Sequence, residues 1–209
     1  MKIILCILLG YLIGSLSPSA LIAKLKHKNL RKEGSGNLGA TNTTIVIGKA
    51  FGFLVMVLDI FKGFLAVKIA TWIVPEITWL PMLVGFCAVL GHCFPFYLKF
   101  KGGKGLAAFG GVILAYDPLF FLFVLTTGVI IVLIANSGTA LSYYAALTFP
   151  IFVAFTSKSI PMIAICIVMS LFMMIIFIPN VIKAIKGEEY KSRDFLKKSL
   201  KKSETTENK

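Results

Sequence analysis

Nucleophilic and metal-ligating side chains are scarce in this chain, and their absence narrows its chemistry. Only 2 histidines and 4 cysteines occur among 209 residues. The cysteines (Cys6, Cys87, Cys93, Cys166) are scattered, mostly inside apolar runs, and read as small core residues. They show no metal spacing and no disulfide framework, so no metal and no cofactor is expected. No Ser–His–Asp arrangement and no exposed cysteine is present, which leaves no activated nucleophile for covalent catalysis. Acidic residues are few as well: 9 against 22 lysines and arginines, for a net charge of +13. In a soluble protein that balance would point to nucleic acid. Here the charge sits in loops and tail, where anionic lipid headgroups and membrane orientation account for it.

What the chain has in abundance is apolar length. It is 57% hydrophobic, with a mean hydropathy of +0.88. A soluble domain of this size is far more polar. Long apolar runs recur, so the expected fold is an all-α integral membrane protein of about seven transmembrane helices. The expected spans are 3–25, 51–72, 77–93, a short segment at 105–116, then 119–135, 139–157 with a kink at Pro150, and 161–178. The first span is read as uncleaved, because Lys24, Lys26, Lys28, Arg31 and Lys32 follow it at once. Of the 22 lysines and arginines, 18 fall in 24–50, 94–104 and 183–209. That asymmetry predicts an outside N-terminus, a cytoplasmic C-terminus, and polar motifs that all face the cytoplasm. Residues 1–187 are expected to form one membrane domain and 188–209 a basic cytoplasmic tail, part of which lies on the bilayer.

Two polar segments interrupt the apolar pattern. HCFPFYLKFKGGKGLAA, from His92 to Ala108, holds Lys99, Lys101 and Lys104 beside Gly102, Gly103 and Gly105. Glycine lets backbone N–H groups approach a ligand closely, and lysine adds charge, so this loop is a candidate phosphate site. The positive-inside rule alone explains the lysines but not the GGKG run. EGSGNLGATNTT, from Glu33 to Thr44, is rich in amide and hydroxyl groups and is a candidate second anion nest. Within the second span Asp59 and Lys62 lie three apart on one helix face and read as a structural ion pair.

In these motifs the chain resembles the bacterial acyl-phosphate:glycerol-3-phosphate acyltransferases, over nearly its whole length. GSGNLGATN at 34–42 matches the family's first motif, with Leu38 in place of proline. GHCFPFYLKFKGGKGLAA at 91–108 is nearly the whole second motif, with Ala108 for threonine. LDIFKG at 58–63 fits the second span. The third motif diverges. Phe177 and Ile178 stand where His-Arg is usual, and Lys183 replaces an arginine, while Asn180, Gly187 and Glu189 remain. Ile45 and Asn136 also replace arginines, and Ser142 is retained. Lys183 apart, each of these changes removes a cation or potential cation from the cytoplasmic side.

The resemblance implies a bacterial inner-membrane enzyme of phospholipid synthesis with its active site facing the cytoplasm. It would transfer a fatty acyl group from acyl phosphate to the 1-hydroxyl of glycerol 3-phosphate. Its partners would be those two substrates, membrane lipids and an enzyme that produces acyl phosphate, with no nucleic acid. The backbone of Gly36, Asn37, Gly39, Thr41 and Asn42, with Ser142, is then expected to hold the acyl-phosphate headgroup. Lys104, with Lys101, Gly102, Gly103 and Gly105, is expected to hold the second phosphate, aided by Ser35 and Asn180, with Glu189 nearby. His92 is either a proton acceptor, an organiser of hydrogen bonds, or a plain helix-end residue. A divergent member with reduced activity, another acceptor or a regulatory role is the alternative. A transporter is the third reading, supported by charges in the membrane and opposed by the absence of an inverted repeat.

Overall fold

The computed structural model describes residues 1–188, and among them every regular element is helical. Helix α1 (Lys2–Ser15) is followed by α2 (Pro18–Leu25), α3 (Ala40–Val46), α4 (Lys49–Ile73) and α5 (Leu80–Cys93). After a short 3-10 turn at Phe96–Leu98 come α6 (Leu106–Tyr116), α7 (Pro118–Ala135), α8 (Thr139–Thr156), α9 (Ile160–Ile176) and α10 (Ile178–Ile185). By length and hydropathy, 5 segments are able to cross a membrane, or 6 if the bent α9–α10 pair counts as one span. Helix α6 is shorter: its 11 residues rise about 16 Å, roughly half a hydrocarbon core. Glu189 and the rest of the expected tail lie outside the described residues.

Two expectations change at this level. The first span is not one helix but two, broken at Leu16 and Ser17 ahead of Pro18. Proline lacks the N–H that would continue α1, and the Ser17 hydroxyl accepts from Ala20 N–H to start α2 afresh. The same device opens α7, where Asp117 caps and Pro118 follows, and α9, where Ser159 caps ahead of Pro161. The second change concerns the segment 33–44, expected as a loop throughout. Its latter part is helix α3, capped at Gly39. Elsewhere the expected spans hold to within a few residues, and α8 runs through Pro150 without interruption.

The bundle has two kinds of interior. Around α1, α4 and α5 the core is made of small side chains: Cys6, Ala66, Ala70, Val84 and Ala88. A Cβ on Gly14 would overlap Ala88, and one on Gly63 would overlap the Ala108 carbonyl, so these helices touch backbone to backbone. Around α6, α8 and α9 the core is aromatic and thioether, with Phe109, Phe149, Phe120, Met169 and Met173. Phe120 and Phe152 stack at 3.9 Å between centroids. Large apolar side chains such as Phe53, Phe61, Trp72, Phe123 and Phe155 point outward, as lipid-facing surfaces require.

Candidate active site

The second glycine-rich segment is pinned to the end of α5. Gly102 N–H donates to Cys93 O at 2.9 Å and Gly103 N–H to His92 O at 3.1 Å. Both amides are therefore engaged within the protein, which corrects the expectation that they face a phosphate. Their glycines serve a different need: a Cβ on Gly102 would overlap His92 O, and one on Gly103 would overlap His92 Nε2 and Leu38 O. Gly105 turns the chain with φ +84°, and α6 begins at Leu106. The first amides of α6 have no intrahelical partner, and its positive dipole end lies directly behind Lys104.

The first segment is folded around one side chain. Asn42 is fully buried (0% exposed); its Nδ2 donates to Leu30 O at 2.8 Å and Glu33 O at 3.2 Å. Its Oδ1 accepts from Ser35 N–H at 2.8 Å. The Asn42 side chain thus shapes the loop, while the expectation for Asn42 concerns its backbone N–H. Thr43 is likewise held to Gly39 O, whereas Thr41 on the same first turn of α3 is exposed. Ser35 and Gly36 are exposed and Asn37 partly so.

The structure brings the two segments into direct contact, because Gly103 packs on the Leu38 carbonyl. Arg31 fastens them further, donating through Nη2 to Leu98 O and Lys101 O. No spacing rule could have flagged Arg31, whose partners lie 67 and 70 residues away. From the far end of the chain, Asn180 on α10 reaches the same place: Lys104 Nζ donates to Asn180 Oδ1. The Phe177 ring lies 5.6 Å from that ammonium. Lys101 is exposed at the rim.

Beneath this layer lies a buried charged cluster. Asp59 Oδ1 is 2.8 Å from Lys62 Nζ and 3.4 Å from His92 Nδ1. The three residues are 2%, 5% and 8% exposed. Lys62 also donates to Leu16 O at 2.7 Å, at the α1–α2 break. The ion pair expected from the i,i+3 spacing is present, and His92 is its third member. The His92 ring lies between Asp59 and the Gly103 backbone, and its Nδ1 makes no hydrogen bond among the described residues.

Ser142 is 1% exposed, and its hydroxyl donates to Thr139 O at 2.6 Å within its own helix. Ile45 sits half-buried on α3. Asn136 occupies a left-handed turn, φ +52°, between α7 and α8, a conformation asparagine tolerates better than arginine.

Comparison with known proteins bears on the family and the fold. The profile of the family described as glycerol-3-phosphate acyltransferase matches residues 4–187. A glycerol-3-phosphate acyltransferase of Staphylococcus aureus is 37% identical over 199 residues, covering 91% of this chain and 98% of that one. One from Streptococcus thermophilus is 47% identical over 127 residues, 60% of this chain and 59% of the relative, so the match spans about three fifths of that protein. The fold superposes on the crystal structure of PlsY, an integral membrane glycerol 3-phosphate acyltransferase, in its glycerol 3-phosphate form. That match has a TM-score of 0.86 and 32% identity, covering 91% of this chain and 96% of the other. Its lysophosphatidic acid form gives 0.84 and 31%, covering 91% and 95%. This all-helical membrane protein belongs to the glycerol-3-phosphate acyltransferase family.

Proposed function

We propose that the chain transfers a fatty acyl group from acyl phosphate to the 1-hydroxyl of glycerol 3-phosphate, releasing lysophosphatidate and inorganic phosphate. The observation that carries this reading is the meeting of the two glycine-rich segments where Gly103 packs on Leu38 O, one residue before Lys104 and its α10 partner Asn180. Two anions must be held side by side for this reaction, and a single positively charged corner built from both segments does that. The donor is a mixed anhydride, so no enzyme nucleophile is needed. The acceptor oxygen attacks the acyl carbon, the bond from that carbon to the phosphate oxygen breaks, and the hydroxyl proton passes to a phosphate oxygen.

Lys104, held in place by Asn180, neutralises charge growing on the leaving phosphate. The amides opening α3 and α6, with Ser35, Gly36, Asn37, Gly39, Thr41 and Gly105, line the headgroup corner, and Lys101 draws the anions in. Gly102, Gly103, Asn42 and His92 fix its shape. The acyl chain stays among the helices. The charge asymmetry supports an outside N-terminus and a cytoplasmic active site, and the proposed reaction implies a bacterial cytoplasmic membrane and a partner enzyme that makes acyl phosphate.

Purified protein in nanodiscs, given acyl phosphate and glycerol 3-phosphate, is expected to form lysophosphatidate detectable by mass spectrometry. Lys104→Ala is expected to lower the rate by about 100-fold or more, the size of losing one charge-stabilising donor. Unchanged activity in that variant defeats the role given to Lys104. Phe177 beside the ammonium, together with Ile45 on α3, favours a second reading: a slower, diverged member. Adding Ile45→Arg and Phe177→His then raises the rate several-fold, whereas fast wild-type turnover with no gain removes that reading.

A further inference from the structure

We infer that Asp59 and Lys62 form a positioning pair that sets the His92 ring beneath the second glycine-rich segment. The pair joins three parts of the chain that carry or support the site. Lys62 Nζ holds the Leu16 carbonyl left open by the α1–α2 break, at 2.7 Å. It also meets Asp59 Oδ1 at 2.8 Å, and that same oxygen faces His92 Nδ1 at 3.4 Å. On the other edge of the ring, Nε2 abuts the Gly103 Cα, and the His92 carbonyl accepts from Gly103 N–H. One residue further on is Lys104.

Helix packing alone does not call for these charges. Helix α4 meets α6 through Gly63 against the Ala108 carbonyl and through the Ile60 carbonyl against Gly111, contacts that need no ionised group. Burying an ion pair is expensive, and apolar residues of similar volume give equal or better stability. At membrane depth the cost is greater, and such residues face functional interiors. What an apolar trio cannot supply is orientation. The carboxylate facing Nδ1 at 3.4 Å, short of a formed hydrogen bond, favours the Nδ1–H tautomer with the Nε2 lone pair turned to the loop. The ring then has one setting, its Nε2 edge to the loop, and Gly103, packed on that edge and on Leu38 O, inherits the setting. Lys104 is carried with it.

The inference rests on the proposed acyl transfer for its kinetic arm only. In that arm Asp59→Asn and Lys62→Met each lower kcat by about 10- to 100-fold, the effect of misplacing a catalytic group slightly. The charge-balanced double variant Asp59→Asn/Lys62→Met separates positioning from mere folding. It is expected to recover thermal stability in detergent while kcat stays low. Recovery of both overturns the inference.

The second arm needs no turnover. His27 is the only other histidine, exposed in the basic loop, so His27→Asn leaves a single ring to observe. In 15N-histidine-labelled protein in nanodiscs, ring shifts are expected to report protonated Nδ1 and unprotonated Nε2, and to change on Asp59→Asn. An Nε2–H tautomer, or a spectrum that Asp59→Asn leaves unchanged, overturns the inference. An inactive wild type with the Nδ1–H signature removes the proposed reaction and leaves the pair standing.

Discussion

The two glycine-rich segments look alike in composition, yet their glycines answer different demands. In the first, Gly34 and Gly36 adopt φ of +61° and +74°, so both need glycine's torsional freedom, and at Gly34 a Cβ would also overlap Asn42 Oδ1. A Cβ on Gly36 would lie 3.3 Å from Arg31 O, a tight contact that a shift of a few tenths of an ångström relieves. In the second, Gly102 and Gly103 have no positive φ, and glycine is there because His92 occupies the space a side chain would take. One loop is held by an internal side chain, Asn42; the other by the helix end it leans on. A run of glycines is thus two different signals, and only neighbours distant in sequence tell them apart.

That contrast can be broken by substitution. The largest effect is expected at Gly103→Ala. Overpacking there costs about 1–3 kcal/mol, and displacing Lys104 lowers lysophosphatidate formation by about 100-fold. Next is Asn42→Ala, which removes three hydrogen bonds of about 1 kcal/mol each and lowers the thermal midpoint clearly. The smallest is Gly36→Ala, with a torsional penalty of about 1–2 kcal/mol and a loss of activity well below that of Gly103→Ala, since the backbone N–H it offers the headgroup corner is kept. Gly36→Asn is expected to regain part of that stability, since asparagine visits the left-handed region more readily. Equal losses of activity in Gly36→Ala and Gly103→Ala, measured in one assay, would erase the distinction between torsion and close approach.

Much of the fold was legible because apolar run length and hydropathy are local properties. Ser17-Pro18, Asp117-Pro118 and Ser159-Ile160-Pro161 all stand in the sequence as helix starts. The break at Ser17 was nevertheless absorbed into one span, because hydropathy averages across it. Helix α3 escaped notice for the opposite reason: ATNTTIV has no apolar periodicity, and its order comes from Asn42 and the Gly39 cap. The motifs themselves were plain, and so was the Asp59–Lys62 pair, being three residues apart. The third partner of that pair, 33 residues from Asp59 at His92, needed the fold. So did the fact that Gly102 and Gly103 point their amides inward, which reverses the simplest reading of a glycine-lysine loop.

The interruption between α1 and α2 bears on how the protein is made. While only the first 25 residues have entered the bilayer, the carbonyls of Ser15 and Leu16 lack the i+4 amides that an unbroken helix would offer. Their eventual partners are the Tyr97 hydroxyl, at 2.8 Å, and the Lys62 ammonium, at 2.7 Å, which are translated 82 and 46 residues after the groups they satisfy. Bare backbone oxygen in hydrocarbon is costly. The opening segment therefore cannot reach its final state by itself, and it must wait at the membrane, with lipid headgroups or water standing in, until the third apolar run has emerged to complete it.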